Sequence, residues 1–107
     1  LGDVYKRQVI LNVKNNVLKI EDIAIGGTDF VNISPKDVLT EVVKMNAPKM
    51  IMVHNHPSGD PSPSKADIEI TNRIYECSNI MQIKFLDHII IGDGKYESVF
   101  SKKGSWN

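Results

Sequence analysis

Lys49-Met50-Ile51-Met52-Val53-His54-Asn55-His56-Pro57 and the continuation Ser58-Gly59-Asp60-Pro61-Ser62-Pro63-Ser64-Lys65-Ala66-Asp67 form the stretch around which the rest of the chain can be arranged. Lys49 to Val53 is short and apolar and reads as a strand buried on both faces. Two histidines follow at i and i+2. Residues two apart on a strand point to the same side, about 6.6 Å from each other, so His54 and His56 project together and could bracket one metal ion. Asn55 points the other way. Pro57 stops the strand, and Pro61 and Pro63 stiffen the loop by fixing their own φ and restricting the residues before them. Ser64 and Asp67 have the spacing of a helix start, with Ser64 as N-cap and Asp67 at the third helical position, ahead of an Ile70, Ile74, Cys77 stripe at helical spacing. The helix thereby returns a carboxylate to the end of a strand carrying two imidazoles. Two nitrogen ligands and one oxygen ligand, with a position left for water, are the ligand set of a catalytic zinc site.

Each half of the stretch also has a plainer reading. His54 to Pro57 could be a polar strand end with one surface histidine, and S-x-x-D could be only a capping box in which Asp67 reaches back to the Ser64 amide. Taken together the halves favour the metal site, because two histidines on one face beside a returning acid have no cheap structural purpose. Three other motifs fail. The nuclease motif written HNH disperses its residues over a hairpin and a helix, whereas here they are consecutive. A zinc deaminase needs H-x-E followed by P-C-x-x-C, but position 55 is Asn and the chain has one cysteine. There is no H-E-x-x-H helix.

The segment HNHPSGDPSPSKAD resembles the H-x-H and S-x-x-D signature of the JAB/MPN (JAMM) zinc metalloproteases, and its HNHPSG wording is similar to the bacterial RadC-related branch. The similarity runs from about Val9 to Gly104 and includes Leu86-Asp87-His88-Ile89-Ile90-Ile91-Gly92-Asp93-Gly94. The resemblance implies a JAB/MPN fold, related to that of cytidine deaminase. It implies that His54, His56 and Asp67 bind Zn²⁺, that Ser64 stabilises the developing oxyanion, and that the reaction is hydrolysis of a peptide or isopeptide amide. The family's general base is a glutamate on an early strand. Counting back from Val9-Ile10-Leu11-Asn12 places it near position 4, which is Val4 here. Asp3 is adjacent, but neighbours on a strand face opposite ways, and Glu21, Asp22, Glu69 and Glu97 have no sequence reason to be preferred.

A length of 107 residues gives one domain, large enough to bury a core without staples. An apolar share of 41% and a charged share of 24% are ordinary for a globular protein. Thirteen basic residues balance thirteen acidic ones, so no global basic field supports nucleic-acid binding by this domain. Cys77 is the sole cysteine, which excludes an internal disulfide and suits a reducing compartment; its position makes it a small core residue. No apolar run has the length of a membrane span and the N-terminus lacks the order of a signal peptide, so the reading is cytoplasmic.

Residues 1 to 8 do not fit the pattern that follows, and read either as a leader foreign to the domain or as a frayed terminus; the domain is expected over 9 to 104, with 105 to 107 as tail. Val9 to Val13 and Val17 to Ile25 are strand-like and joined at Asn15-Asn16. Gly26-Gly27-Thr28 reads as a turn, without the spacing or lysine of a phosphate loop. Ser34-Pro35-Lys36-Asp37 opens a helix expected to run to Asn46, with Val38, Leu39, Val42 and Val43 facing the sheet. The second helix should end near Ser78-Asn79. Gln82 to Ile91 then reads as one strand or a strand with a bend, Gly92-Asp93-Gly94 as a turn, and Lys95 to Phe100 as a return strand. Asp87 and His88 read either as a hydrogen-bonded structural pair or as support for a metal-bound histidine.

The expected architecture is therefore an α/β domain with a mixed sheet and helices on both of its faces. Two functions from different classes follow: a zinc metallohydrolase acting on a peptide or protein, or a catalytically silent, zinc-stabilised interaction module attached to a nucleic-acid-processing partner. The RadC name ties its branch to DNA repair, but the composition gives that no independent support.

Overall fold

The computed structural model describes residues 5–25 and 33–101. Strands β1 (Tyr5–Leu11), β2 (Val17–Ile25), β3 (Lys49–Asn55), β4 (Lys84–Gly92) and β5 (Lys95–Ser98) form a sheet in the order β2-β1-β3-β4-β5. Helices α1 (Pro35–Lys44) and α2 (Lys65–Ile80) precede and follow β3. β1 pairs antiparallel with β2 and β3, β3 pairs parallel with β4, and β4 antiparallel with β5, so the sheet is mixed as expected. The histidine-bearing strand is central.

β1 starts earlier than the sequence pattern suggested. Tyr5 to Gln8 are ladder residues, Lys6 lying opposite His54 and Gln8 opposite Met52, so this part is neither frayed nor outside the domain. The polar letters concealed the strand, because hydrogen bonding to neighbours on both sides holds its backbone whatever the side chains are. Lys6 and Gln8 are fully buried beside Ile10, and Gln8 donates through Nε2 to the Val38 carbonyl at 2.8 Å. The strand ends at Leu11 rather than Val13, since the Asn12 side chain accepts from the Lys14 and Asn16 amides and Asn15 takes a positive φ of 64°. Residues 1–4, the Gly26-Gly27-Thr28 turn and the tail from residue 102 lie outside the described residues.

α1 begins as its sequence predicts, with Ser34 and Asp37 completing a capping box and Pro35 in the first turn. It ends at Lys44, not Asn46, where Asn46 turns left-handed at φ 50°. Val38, Leu39 and Val42 are buried, but Val43 is 49% exposed; lying a further 100° around the helix, it falls beyond the edge of the core face. α2 buries Ile70 and Ile74, while Cys77 packs half-buried against the core.

The expectation of helices on both faces is corrected. Val38, Leu39 and Val42 of α1 and Ile70 and Ile74 of α2 share one core with Ile10, Met50, Met52 and Phe85, so both described helices cover the same face of the sheet. An amphipathic stripe says which side of a helix is buried but not which face of a sheet it covers. β3 shows the consequence: Met50, Met52 and His54 are buried and the residues between them half-buried.

β4 runs Lys84–Gly92 and carries an irregularity that matters downstream. Its pairing with β3 jumps from Met50↔Phe85 to Ile51↔Asp87, leaving Leu86 as an extra residue. A regular strand would put Phe85 and His88 on opposite faces; the bulge puts both on the helix-bearing face, where both are buried. β4 and β5 are joined by the two residues Asp93-Gly94, both at positive φ; of the expected Gly92-Asp93-Gly94 turn, Gly92 belongs to β4 and pairs with Lys95. β5 ends at Ser98 rather than Phe100. Asp87 binds its far end, accepting from the His88 and Phe100 amides and the Ser98 hydroxyl.

The loop after β3 is seated on this hairpin. His56 donates its amide to the Ile91 carbonyl at 2.8 Å, and a Cβ placed on Gly92 would come within 2.7 Å of the Gly59 carbonyl oxygen. Gly92→Ala should therefore push the loop away, destabilising the chain by about 1–3 kcal/mol, a cost typical of overpacking. A thermal melt of the variant checks this, and an unchanged midpoint would refute the close contact.

Candidate metal centre

β3 delivers His54 and His56, and the first turn of α2 delivers Asp67. As the sequence predicts, Ser64 caps α2: its hydroxyl accepts from the Asp67 amide at 3.0 Å, and its own amide donates to Asp67 Oδ2 at 2.8 Å. The capping box and the metal site are thus alternatives only on paper, since the same bonds that start the helix fix the carboxylate. As an acceptor in this bond, Ser64 keeps its hydroxyl proton for another partner.

His54 Nε2 lies 3.2 Å from Asp67 Oδ1, and His56 Nε2 lies 2.9 Å from Asp67 Oδ2. Among the described residues these three side chains form a group whose donor atoms all lie within 4.8 Å of one another, and they could hold a metal ion. The side chains of His54 and Asp67 are 2% and 5% exposed and that of His56 is 19% exposed, so solvent reaches the group from the His56 side.

The hydrogen bonding of His56 decides how the group is used. Its Nδ1 is 2.8 Å from the Asp60 carbonyl oxygen, which can only accept, so Nδ1 carries the proton. In the neutral ring Nε2 is then bare and aimed at a carboxylate oxygen. Two lone-pair atoms at hydrogen-bond distance repel unless a cation lies between them, so this donor set fits a metal ion.

Charge reinforces the fit. Burial first, and the Lys6 ammonium second, push the His54 imidazole down to about 3, so at neutral pH it is an uncharged ring with one bare nitrogen. Burial alone would raise the Asp67 carboxyl; the His54 imidazole and the Ser64 bonds outweigh it and hold the group below the usual carboxylate range. Burial likewise pushes His88 well below the ordinary imidazole value.

These shifts set an acid limit on the metal-free chain. A histidine that stays neutral when folded but takes a proton at about 6.5 when unfolded contributes stability above that value and loses it as pH falls. At pH 5 the loss is about 2 kcal/mol for His54, and His88, shifted in the same direction by its burial, adds to it. Urea melts of metal-free protein at pH 7 and pH 5 should differ by about 2 kcal/mol or more, and equal stabilities would contradict the burial of neutral rings.

The structure separates the residues paired in the sequence reading around position 87. Asp87 secures the β4–β5 edge, whereas His88 places Nε2 3.0 Å from His54 Nδ1 and Nδ1 2.5 Å from the Thr71 hydroxyl. Two contributors were missed. Thr71 was legible as the residue four after Asp67, on the same side of α2. Lys6 was not legible, because the polar run Lys6-Arg7-Gln8 concealed the strand that carries it. The acids weighed as a general base lie elsewhere: Asp22 pairs with Arg7 at 2.6 Å and Glu21 with Lys19 at 2.9 Å, both on β2, and Glu69 is exposed on α2. Glu97, half-buried on β5, is opposite Ile90 and two strands from His54. Position 4 lies outside the described residues.

An apolar cleft of about 420 Å³ between α1 and α2, lined by Leu39, Val43, Cys77 and Met81 among others, contains none of His54, His56 and Asp67. Among the described residues no helix is long and apolar enough to cross a membrane.

A mixed five-stranded sheet presenting two histidines from its central strand and a carboxylate from the following helix defines a JAB-type α/β domain with a possible metal site. The profile of the family described as "RadC-like JAB domain" matches residues 6–105, and the chain belongs to that family. It is similar to the UPF0758 protein of Caldanaerobacter subterraneus, 48% identical over 102 residues covering 95% of this chain and 44% of that protein. The UPF0758 proteins of Clostridium tetani (45% identical, 95% of this chain and 45% of that one) and Carboxydothermus hydrogenoformans (44% identical, 96% and 47%) are comparable. The chain spans a little under half the length of these relatives.

Proposed function

We propose that this domain is a mononuclear zinc hydrolase of JAMM type that cleaves a peptide or isopeptide bond in a peptide or protein substrate. The observation that carries the reading is the convergence of two imidazole Nε2 atoms on the two oxygens of Asp67, His56 being the most exposed of the three side chains. Zinc held there would lower the pKa of a bound water towards neutrality and polarise a scissile carbonyl. Ser64 orients Asp67 through its amide, and its hydroxyl is the chain's candidate donor to a developing oxyanion. A single cysteine, Cys77, suits work in the reducing cytoplasm.

A second reading, a zinc-stabilised interaction module serving a nucleic-acid-processing partner, draws on two observations. Lys6 places a buried cation opposite His54, and the described acids other than Asp67 that were weighed as a base are on α2 and the edge strands. Amide turnover needs a proton taken from water and delivered to the leaving nitrogen, a contribution of about 10² to 10⁴ in rate. Hydrolysis of peptide and isopeptide substrates should therefore be slow, abolished by Asp67→Ala, and raised about 10²-fold or more by Val4→Glu with zinc content unchanged. If Val4→Glu leaves the rate where it was, the base lies elsewhere; if both forms bind zinc and cleave nothing, the module reading prevails.

A further inference from the structure

We propose that Thr71 and His88 are positioning residues that lock His54 in the tautomer whose Nε2 is bare and directed at the metal position; the metal itself rests on the reading above. One backbone atom near the site can only accept. Thr71 Oγ1 lies 2.6 Å from the backbone carbonyl oxygen of Asp67, so the single hydroxyl proton of Thr71 is spent there. The same oxygen lies 2.5 Å from His88 Nδ1, which must then supply the proton between them. A neutral imidazole carries one N–H, so His88 Nε2 is bare. It faces His54 Nδ1 at 3.0 Å, and His54 must donate from that nitrogen. His54 Nε2 is left bare, 3.2 Å from Asp67 Oδ1.

The relay thus begins at the carbonyl of Asp67 and ends at its carboxylate, tying α2, β4 and β3 together around the site. The alternative tautomer would draw the Thr71 hydroxyl proton to His88 Nδ1 and give up the 2.6 Å bond from Thr71 to the Asp67 carbonyl, in a fully buried place. It would also put the His54 proton on Nε2, between that ring and the metal position. The bulge at Leu86 is what makes the relay possible, since it turns His88 onto the face that holds His54 and Thr71. Metal-bound histidines commonly have the other ring N–H held by a partner of this kind, and loss of such a partner costs about 10- to 100-fold in metal affinity.

The test pairs Thr71→Val, which keeps the shape and removes the hydroxyl, with Thr71→Ser, which restores it. Imidazole ¹⁵N spectra of the metal-free chain should show His54 protonated at Nδ1 and bare at Nε2 in the wild type and in Thr71→Ser. In Thr71→Val the two tautomers should mix, and zinc affinity measured by competition with a chelator should fall about 10- to 100-fold. A wild-type His54 protonated at Nε2 overturns the proposal whether or not the valine variant folds. So does a folded Thr71→Val with the wild-type spectrum and affinity. A wild type with the expected tautomer that takes up no zinc supports the lock while removing the metal reading, so the two failures are distinct.

Discussion

Zinc added to the metal-free chain is expected to raise its melting temperature by about 15 °C or more, and the gain should vanish in the His54→Ala, His56→Ala double variant. The ligands come from two elements, β3 and α2, that the unfolded chain does not hold together, so binding is linked to folding. At a free concentration a thousandfold above Kd that linkage contributes about 4 kcal/mol. In a domain of this size each kcal/mol moves the midpoint by about 4 °C or more. Scanning calorimetry with and without zinc reads the shift directly. An equal gain in the double variant would place the ion somewhere else on the chain.

Lys6→Met is expected to stabilise the metal-free chain by about 3 kcal/mol at pH 7. The Lys6 side chain is fully buried, and burial lowers its ammonium from 10.5 to about 8 in spite of the attraction of Asp67. The folded value lies below the unfolded one, so the unfolded chain binds the proton more readily. Stability is therefore depressed by the full amount below pH 8 and recovers as pH rises from 8 to 10.5. A depression of about 2.5 pKa units corresponds to about 3 kcal/mol. Methionine has similar length and no charge to desolvate. The advantage of the variant in urea melts should accordingly shrink as pH approaches 10.5. Because the ammonium shares the field of Asp67 with any metal, the variant should also bind zinc more tightly. Wild type and variant of equal stability at pH 7 would contradict a net cost of burying the ammonium.

What the sequence disclosed, and what it hid, follows from the range of the interactions involved. His54, His56, Ser64 and Asp67 were legible because strand alternation and helix capping are local rules, and a run of nineteen residues, 49 to 67, contains all of them. The site is a product of that run. The side of the sheet on which α1 packs was not legible, because its stripe of Val38, Leu39 and Val42 would serve either face. The beginning of β1 was hidden for the opposite reason: Lys6 and Gln8 occupy inward positions that alternation reserves for apolar residues. His88 could be suspected but not assigned. Its meeting with His54 depends on a one-residue bulge at Leu86, for which Phe85-Leu86-Asp87 carries no composition signal.

The proposed chemistry of this domain depends on one metal ion held by two histidines and a carboxylate. Zinc content per chain, measured together with the zinc-edge X-ray absorption spectrum of protein purified without added metal, tests it most directly. The prediction is one zinc per chain with nitrogen and oxygen neighbours only, at about 2.0–2.2 Å. Absence of zinc, or a sulfur neighbour at about 2.3 Å that could come only from Cys77 or from outside the site, would contradict it.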